Sequence, residues 1–313
     1  MREFVVCNGL AIKSDNTKNK IMNRYVFSLI VFLLLSIITS FITNNSFIDK
    51  IYPILGIILT LGICFIVEYI FMLMRKEYNI KRICDNNILL VGLILSLFAC
   101  NSSFLIIIIA SLITSISKNL IKYLDIKSSL LGIIIVILFG NISLDSYNSI
   151  LLLMGNYKIY MSIILSIISY IYLFYNKSIK YLIPLTSIGI YFIIMLLVTL
   201  FSGNNLYDIF FLVIRSNIVF LSVFVASDFV NTPISKEGEI IYGILLGLLT
   251  SIISMFNVEL SMVIGIIIVT LFTNIIDMYS FKLRYNKKFY NILLSIFLVL
   301  ILIDIPILIH IMK

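Results

Sequence analysis

Residues 25–43 read YVFSLIVFLLLSIITSFIT, a run without a single charge. At 1.5 Å per residue, a helix of that length matches the hydrocarbon core of a bilayer, about 30 Å. Arg2, Lys13, Lys18, Lys20 and Arg24 precede the run, and no small-residue cleavage site follows it. The run therefore reads as a first membrane-spanning helix and not as a removable signal.

The same pattern repeats along the chain. Apolar runs fall at 51–74, 88–100, 104–117, 129–141, 159–175, 181–201, 209–226, 240–256, 260–276 and 289–311. The runs at 88–100, 104–117 and 129–141 are short for a bilayer. That fits thin, tilted or broken helices, which are tolerated where their backbone is buried in protein. Composition agrees. The 313 residues are 61% hydrophobic and only 12% charged, with a mean hydropathy of +1.15. A soluble domain carries about 25% charged residues. The expected fold is an all-α polytopic integral membrane protein of about ten or eleven transmembrane helices.

Loop charge supports that count. Basic residues cluster before the first run, at Arg75, Lys76, Lys81 and Arg82, at Lys118, Lys122 and Lys127, at Lys177 and Lys180, at Lys236, and at Lys282, Arg284, Lys287 and Lys288. These loops share one side if the runs alternate. The opposite loops hold Lys50 and Lys158, and the chain ends on Lys313. The positive-inside rule then places the N-terminus in the cytoplasm of a bacterial plasma membrane and the C-terminus outside. The net charge of +8 is mostly this topology signal, so the partner is lipid and no nucleic acid is implied. Cys7, Cys64, Cys84 and Cys100 show no metal-ligand spacing, and His310 is the single histidine. A His-based metal site or triad within the chain is excluded, and no metal is expected.

Ionisable residues inside runs are functional candidates by default. Glu68, Arg215 and Asp304 are the candidates for an ion path, against the bland reading that each snorkels to the nearer interface. Glu68 and Arg215 lie near opposite membrane faces and are not expected to pair. Val91-Gly92-Leu93-Ile94-Leu95 echoes Tyr242-Gly243-Ile244-Leu245-Leu246. The echo suggests an internal duplication, here a parallel one, with chance as the alternative.

The segment after the run at 209–226 differs in kind. It reads Ala226-Ser227-Asp228-Phe229-Val230-Asn231-Thr232-Pro233-Ile234-Ser235-Lys236-Glu237-Gly238-Glu239, then Ile240-Ile241-Tyr242-Gly243. A polar stretch marked by Pro and Gly between two apolar helices is a shaped loop or an ordinary turn. Gly243 and Gly247 share one helix face, which admits a close neighbour or a planar ligand.

These residues resemble the hallmark of the RnfD/NqrB family, roughly F-M-A-T-D-P-V-x-x-P, then a Gly and I-Y-G. Asp228, Asn231, Thr232, Pro233, Gly238, Tyr242 and Gly243 carry the likeness. Asn274 and Asp277 are similar to the family's later asparagine and terminal I-D. Val91 to Leu95 and the approach at Ile12 to Met22 are looser matches. The likeness covers about residues 10–280 of the sequence. It divides the chain into an N-terminal segment 1–24, a transmembrane domain 25–280 and an addition at 281–313.

The resemblance implies a membrane subunit of an Rnf-like complex that couples electron flow to Na⁺ or H⁺ movement beside other membrane subunits. Family members carry FMN on a Thr in S-G-A-T. Here the loop at 142–158 has no such motif, and no Thr occurs between Thr114 and Thr186. No covalent FMN is expected. A noncovalent flavin stays open, since it needs only a planar pocket. The G-G-x-G-x-N-x-F-N-P-A segment is also missing, with Asn119 a loose remnant, and Ser216-Asn217 stand where the family has Gly-Gly. A solute or ion carrier, or a non-catalytic assembly subunit, on the same scaffold is the alternative.

Overall fold

The computed structural model describes residues 18–43, 47–75, 86–99, 102–120, 125–140, 155–202, 212, 213, 215–229 and 231–285. The elements are α1 (Lys18–Thr43), α2 (Phe47–Met74), α3 (Asn86–Ala99), α4 (Phe104–Leu120), a 3₁₀ turn at Asp125–Ser128 and α5 (Ser129–Phe139). Then come α6 (Gly155–Tyr175), α7 (Leu182–Ser202), α8 (Ile218–Leu221) with a π-helical turn at Ser222–Ala226, α9 (Lys236–Ser254), α10 (Val258–Leu271) and α11 (Thr273–Tyr285). The described residues contain helices and no strand. Asp304, His310, the run at 289–311, the loop residues 142–154, Cys7, Cys84 and Cys100 lie outside them.

The expected all-α membrane architecture is what the chain adopts. Ile51–Met74, Leu182–Phe201 and Lys236–Ser254 are long and apolar enough to cross a bilayer. Val258–Leu271 and Thr273–Ser280 make a fourth span if the 59° bend between them is a break within one crossing. The helices α3, α4 and α5 are short, at 14, 17 and 11 residues, as the apolar runs led one to expect.

Three boundaries differ from the apolar runs, each for a local reason. The helix α9 starts at Lys236, well before the run at 240–256, because Ser235 caps it. The Ser235 hydroxyl accepts the Gly238 N–H at 3.0 Å, and Glu237 and Glu239 fill the first turn, where the helix dipole favours negative charge. The run at 260–276 is not one helix. Thr270 bonds back to the Ile266 carbonyl and Thr273 to the Thr270 carbonyl, which loosens the ladder where the chain bends. The run at 209–226 is interrupted at Ser216–Asn217, where Asn217 is left-handed at φ 53° and ψ 21°.

Polarity is arranged as lipid demands. Large apolar side chains such as Phe27, Ile58, Ile66, Leu105 and Leu200 point outward. The interior holds many hydroxyls, and a number of them satisfy themselves on their own helix. Ser28, Thr60, Ser96, Ser111, Ser187, Thr199, Ser251 and Ser261 each donate to a carbonyl three residues back. A buried hydroxyl with its partner built in costs little and leaves a small side chain at a helix contact.

Glycine sets the closest contacts. A Cβ on Gly243 would collide with the Thr186 hydroxyl and lie 3.0 Å from the Ile183 carbonyl. One on Gly247 would sit 2.9 Å from the Ser187 carbonyl and 2.9 Å from Ile190 Cβ. The neighbour admitted by this glycine pair is therefore α7. Gly132 plays the same part between α5 and α4, where its Cβ would strike Thr114 and approach the Ala110 carbonyl at 3.1 Å. Gly243→Ala should cost about 1–3 kcal/mol through overpacking. Adding Thr186→Ala should return part of that loss, the backbone contact to Ile183 remaining. Thermal unfolding of the two variants in detergent checks both steps.

Candidate functional site

The interrupted helix is the starting point. Residues Ile218 to Asp228 are buried except for the half-buried Val219. Phe220 and Phe224 stand 4.8 Å apart and pack edge-on against Phe32, at 5.4 and 5.6 Å. Phe98 meets Phe220 at 5.8 Å, and Tyr25 meets Phe224 at 6.3 Å. Rings from α1 and α3 thus grip α8 and its π-helical turn. A π-turn widens the ladder by one residue and is common at functional positions. Here it ends in Ser227, whose hydroxyl bonds the Val223 carbonyl and approaches the Tyr25 hydroxyl at 3.4 Å.

The chain then leaves the helix at Asp228 and Phe229, and residues Asn231 to Ser235 lead to the start of α9. Asp228 is buried. The Thr232 hydroxyl donates to the Asp228 carbonyl and closes the turn. Lys127, in the 3₁₀ turn before α5, is 1% exposed. Its ammonium donates to the Asn231 carbonyl at 2.6 Å and lies 5.5 Å from the centre of the Tyr242 ring. Lys180, between α6 and α7, donates to the carbonyls of Thr232 and Pro233 at 3.0 and 2.9 Å and faces the Phe229 ring. Burial pushes the Lys180 ammonium below its ordinary value, while the carboxylates of Glu239, Asp228 and Asp277 act the other way.

The far side of the loop is held by α11. Asp277 Oδ1 accepts the Ile234 N–H at 2.9 Å, and the Ser235 and Ser280 hydroxyls meet at 2.7 Å. A Cβ on Gly238 would lie 2.8 Å from Pro233 Cβ, so these two residues fit one another. The structure therefore brings Asp228, Asn231, Thr232, Pro233, Gly238, Tyr242 and Asp277 into one cluster. Gly243 and Gly247 face α7 instead, and Asn274 lies on the exposed side of α11.

The other polar candidates lie apart from this cluster and from one another. Glu68 Oε2 accepts from Asn119 Nδ2 at 2.7 Å and pairs with Lys118 at 3.5 Å. The Arg75 guanidinium holds the Asn119 carbonyl at 2.9 Å. Arg215 donates through Nε and Nη2 to one oxygen of Glu259, both at 3.0 Å. Glu259 sits in the first turn of α10, capped by Asn257. Glu68 and Arg215 thus have separate partners. Cys64 is a buried free thiol. No group of metal-ligating side chains occurs among the described residues.

Lys127, Lys180 and Glu259 were not singled out by the sequence as site residues. The lysines counted only toward loop charge, and Glu259 fell in the short stretch between two apolar runs. The one available signal was position: Lys127 directly precedes Ser128-Ser129 and an apolar helix.

The arrangement is an all-α membrane scaffold in which interrupted helices meet at a shaped polar loop. The model of the NQR2, RnfD, RnfE family matches residues 122–286, just over half the chain, and the chain belongs to that family of membrane subunits of ion-translocating electron transport complexes. No curated protein matches the chain.

Asn217 gives a direct test of the helix break. The left-handed region costs most side chains about 1–2 kcal/mol, Asn less and Gly least. Asn217→Gly should hold or raise the unfolding midpoint, and Asn217→Ala should lower stability by about 1 kcal/mol. Thermal unfolding of the purified variants reads both.

Proposed function

We propose that the chain acts as the RnfD-like subunit of a bacterial plasma-membrane complex, coupling electron flow to Na⁺ or H⁺ movement without covalent FMN. The observation that carries this reading is the junction of two interrupted segments. The loop after the π-turn and α11 after the bend are joined through Ile234 and Asp277. Helix breaks of this kind leave backbone groups free to shape a polar site at a membrane face. Asp228, at the root of the loop, is the acidic group placed to respond to a passing cation or a docked partner.

The absent S-G-A-T threonine favours a second reading, a carrier or assembly subunit that has left redox work. Asp228→Asn separates function from structure, since it keeps size and removes charge. Electron-driven ion transport by the complex should fall by about tenfold, the loss of one interaction of about 1.4 kcal/mol, while the protein accumulates normally. Full activity at normal abundance would sink the coupling role. Fluorescence of the denatured chain in a gel should show no attached flavin, and a fluorescent band would refute that part.

The neighbouring Lys127, Lys180 and Lys236 favour a cytoplasmic position for the loop. Ile234 is 77% exposed and is a better label site than the capping Ser235. Ile234→Cys should react with a membrane-impermeant maleimide only after the cells are opened. Labelling of intact cells would invert the topology.

A further inference from the structure

The helix α11 combines an abrupt change of direction with two unlike faces. It leaves α10 at a 59° bend, and its 13 residues extend for about 20 Å. One face packs at the start of α9, a helix long and apolar enough to cross the bilayer. Asp277 and Ser280 hold Ile234 and Ser235, and a Cβ on Gly238 would lie 3.3 Å from the Ser280 hydroxyl. These partners are the cap and first turn of α9, where Lys236, Glu237 and Glu239 stand. A helix fixed at that level lies at the polar end of the span and not across its apolar middle.

The opposite face is apolar and open. Leu271 and Phe272 at the bend, and Ile275 and Met278 at helical spacing after it, are 46–75% exposed, whereas Ile276 and Ser280 are buried. The last turn of α11 then carries Lys282 and Arg284, with Lys287 and Lys288 following in the sequence. An apolar stripe that gives way to a cluster of cations is the pattern of a helix seated in the plane of the bilayer surface. The stripe enters the acyl boundary and the cations meet phosphate. Four cations in seven positions select an anionic surface over a neutral one.

We propose that α11 is a membrane-surface helix that binds anionic phospholipid headgroups and anchors the loop at residues 231–235 to them through Asp277 and Ser280. The bend before Thr273 is then the point where the chain turns from crossing the bilayer to lying on it. The inference concerns the chain in its bilayer and does not rest on electron transport.

The chain contains no Trp, so one introduced Trp reports depth without background. Met278→Trp, on the open face of α11, and Ile193→Trp, midway along α7 and 50% exposed, are made in the full chain. Each is reconstituted in phosphatidylcholine vesicles with and without phosphatidylglycerol. Phospholipids brominated either near the carbonyls or near the chain ends serve as quenchers. Met278→Trp should be quenched roughly twofold more by the shallow bromines, and Ile193→Trp more by the deep ones. Phosphatidylglycerol should raise the shallow quenching of Met278→Trp, and Lys282→Gln/Arg284→Gln in that background should remove about half of the rise or more. Stronger quenching by the deep bromines would make α11 part of a broken crossing. Quenching by neither would assign its open face to water or to a protein neighbour. Either result, or a response blind to phosphatidylglycerol, overturns the proposal. Ile275→Trp, on the same face, gives the same reading should Met278→Trp fail to accumulate.

Discussion

Backbone that leaves its helix inside a membrane protein has no ladder to answer its carbonyl oxygens, and each buried one needs a donor from elsewhere. The carbonyls of residues 231–233 meet this demand through two lysine ammoniums from separate parts of the chain. That solution has wide reach. Lys127 belongs to the turn before α5 and Lys180 to the link between α6 and α7. Asp277 closes the remaining side from α11. Arg24 on α1 extends the arrangement by holding the Asn176 carbonyl and the Ser178 hydroxyl at 2.7 and 2.8 Å. Elements distant in sequence are thus organised around the oxygens of one short loop.

The remaining interior avoids creating further demands of this kind. Many of its serine and threonine hydroxyls are spent on the carbonyls of their own helices, so these neither need water nor choose a partner helix. Helix pairing is left to shape, through glycines and the aromatic cluster around Phe220 and Phe224. This division keeps specific polar chemistry at the helix ends. Glu68 with Asn119 and Arg215 with Glu259 follow the same economy at other ends.

The helices were legible in the sequence because lipid imposes a length of apolar chain that few other contexts require. The ends were less legible. Residues 236–239 score as loop by polarity, yet Ser235 and two acidic residues make them the first turn of α9. The break at Asn217 showed only as Ser-Asn in place of Gly-Gly. Its cause, a left-handed residue, is a backbone property that hydropathy cannot register. Within the site, the acceptor side was readable because Asp228, Asn231 and Pro233 sit together in one motif. The donor side was not, because Lys127 and Lys180 lie 104 and 52 residues before the carbonyls they hold and look like ordinary loop cations until the fold brings them back.

The glycine contact between α7 and α9 bears on how this molecule could move. With Gly243 under Thr186 and Gly247 under Ser187 and Ile190, a slide of one helix along the other would drive neighbouring side chains into backbone. The two helices behave as a keyed shaft, translating together or not at all. A rearrangement that keeps this contact would pivot where the chain is already articulated, at Asn217 and at the bend before Thr273. The loop between those two joints would move as the coupling link of a lever whose rigid arm is the α7–α9 pair.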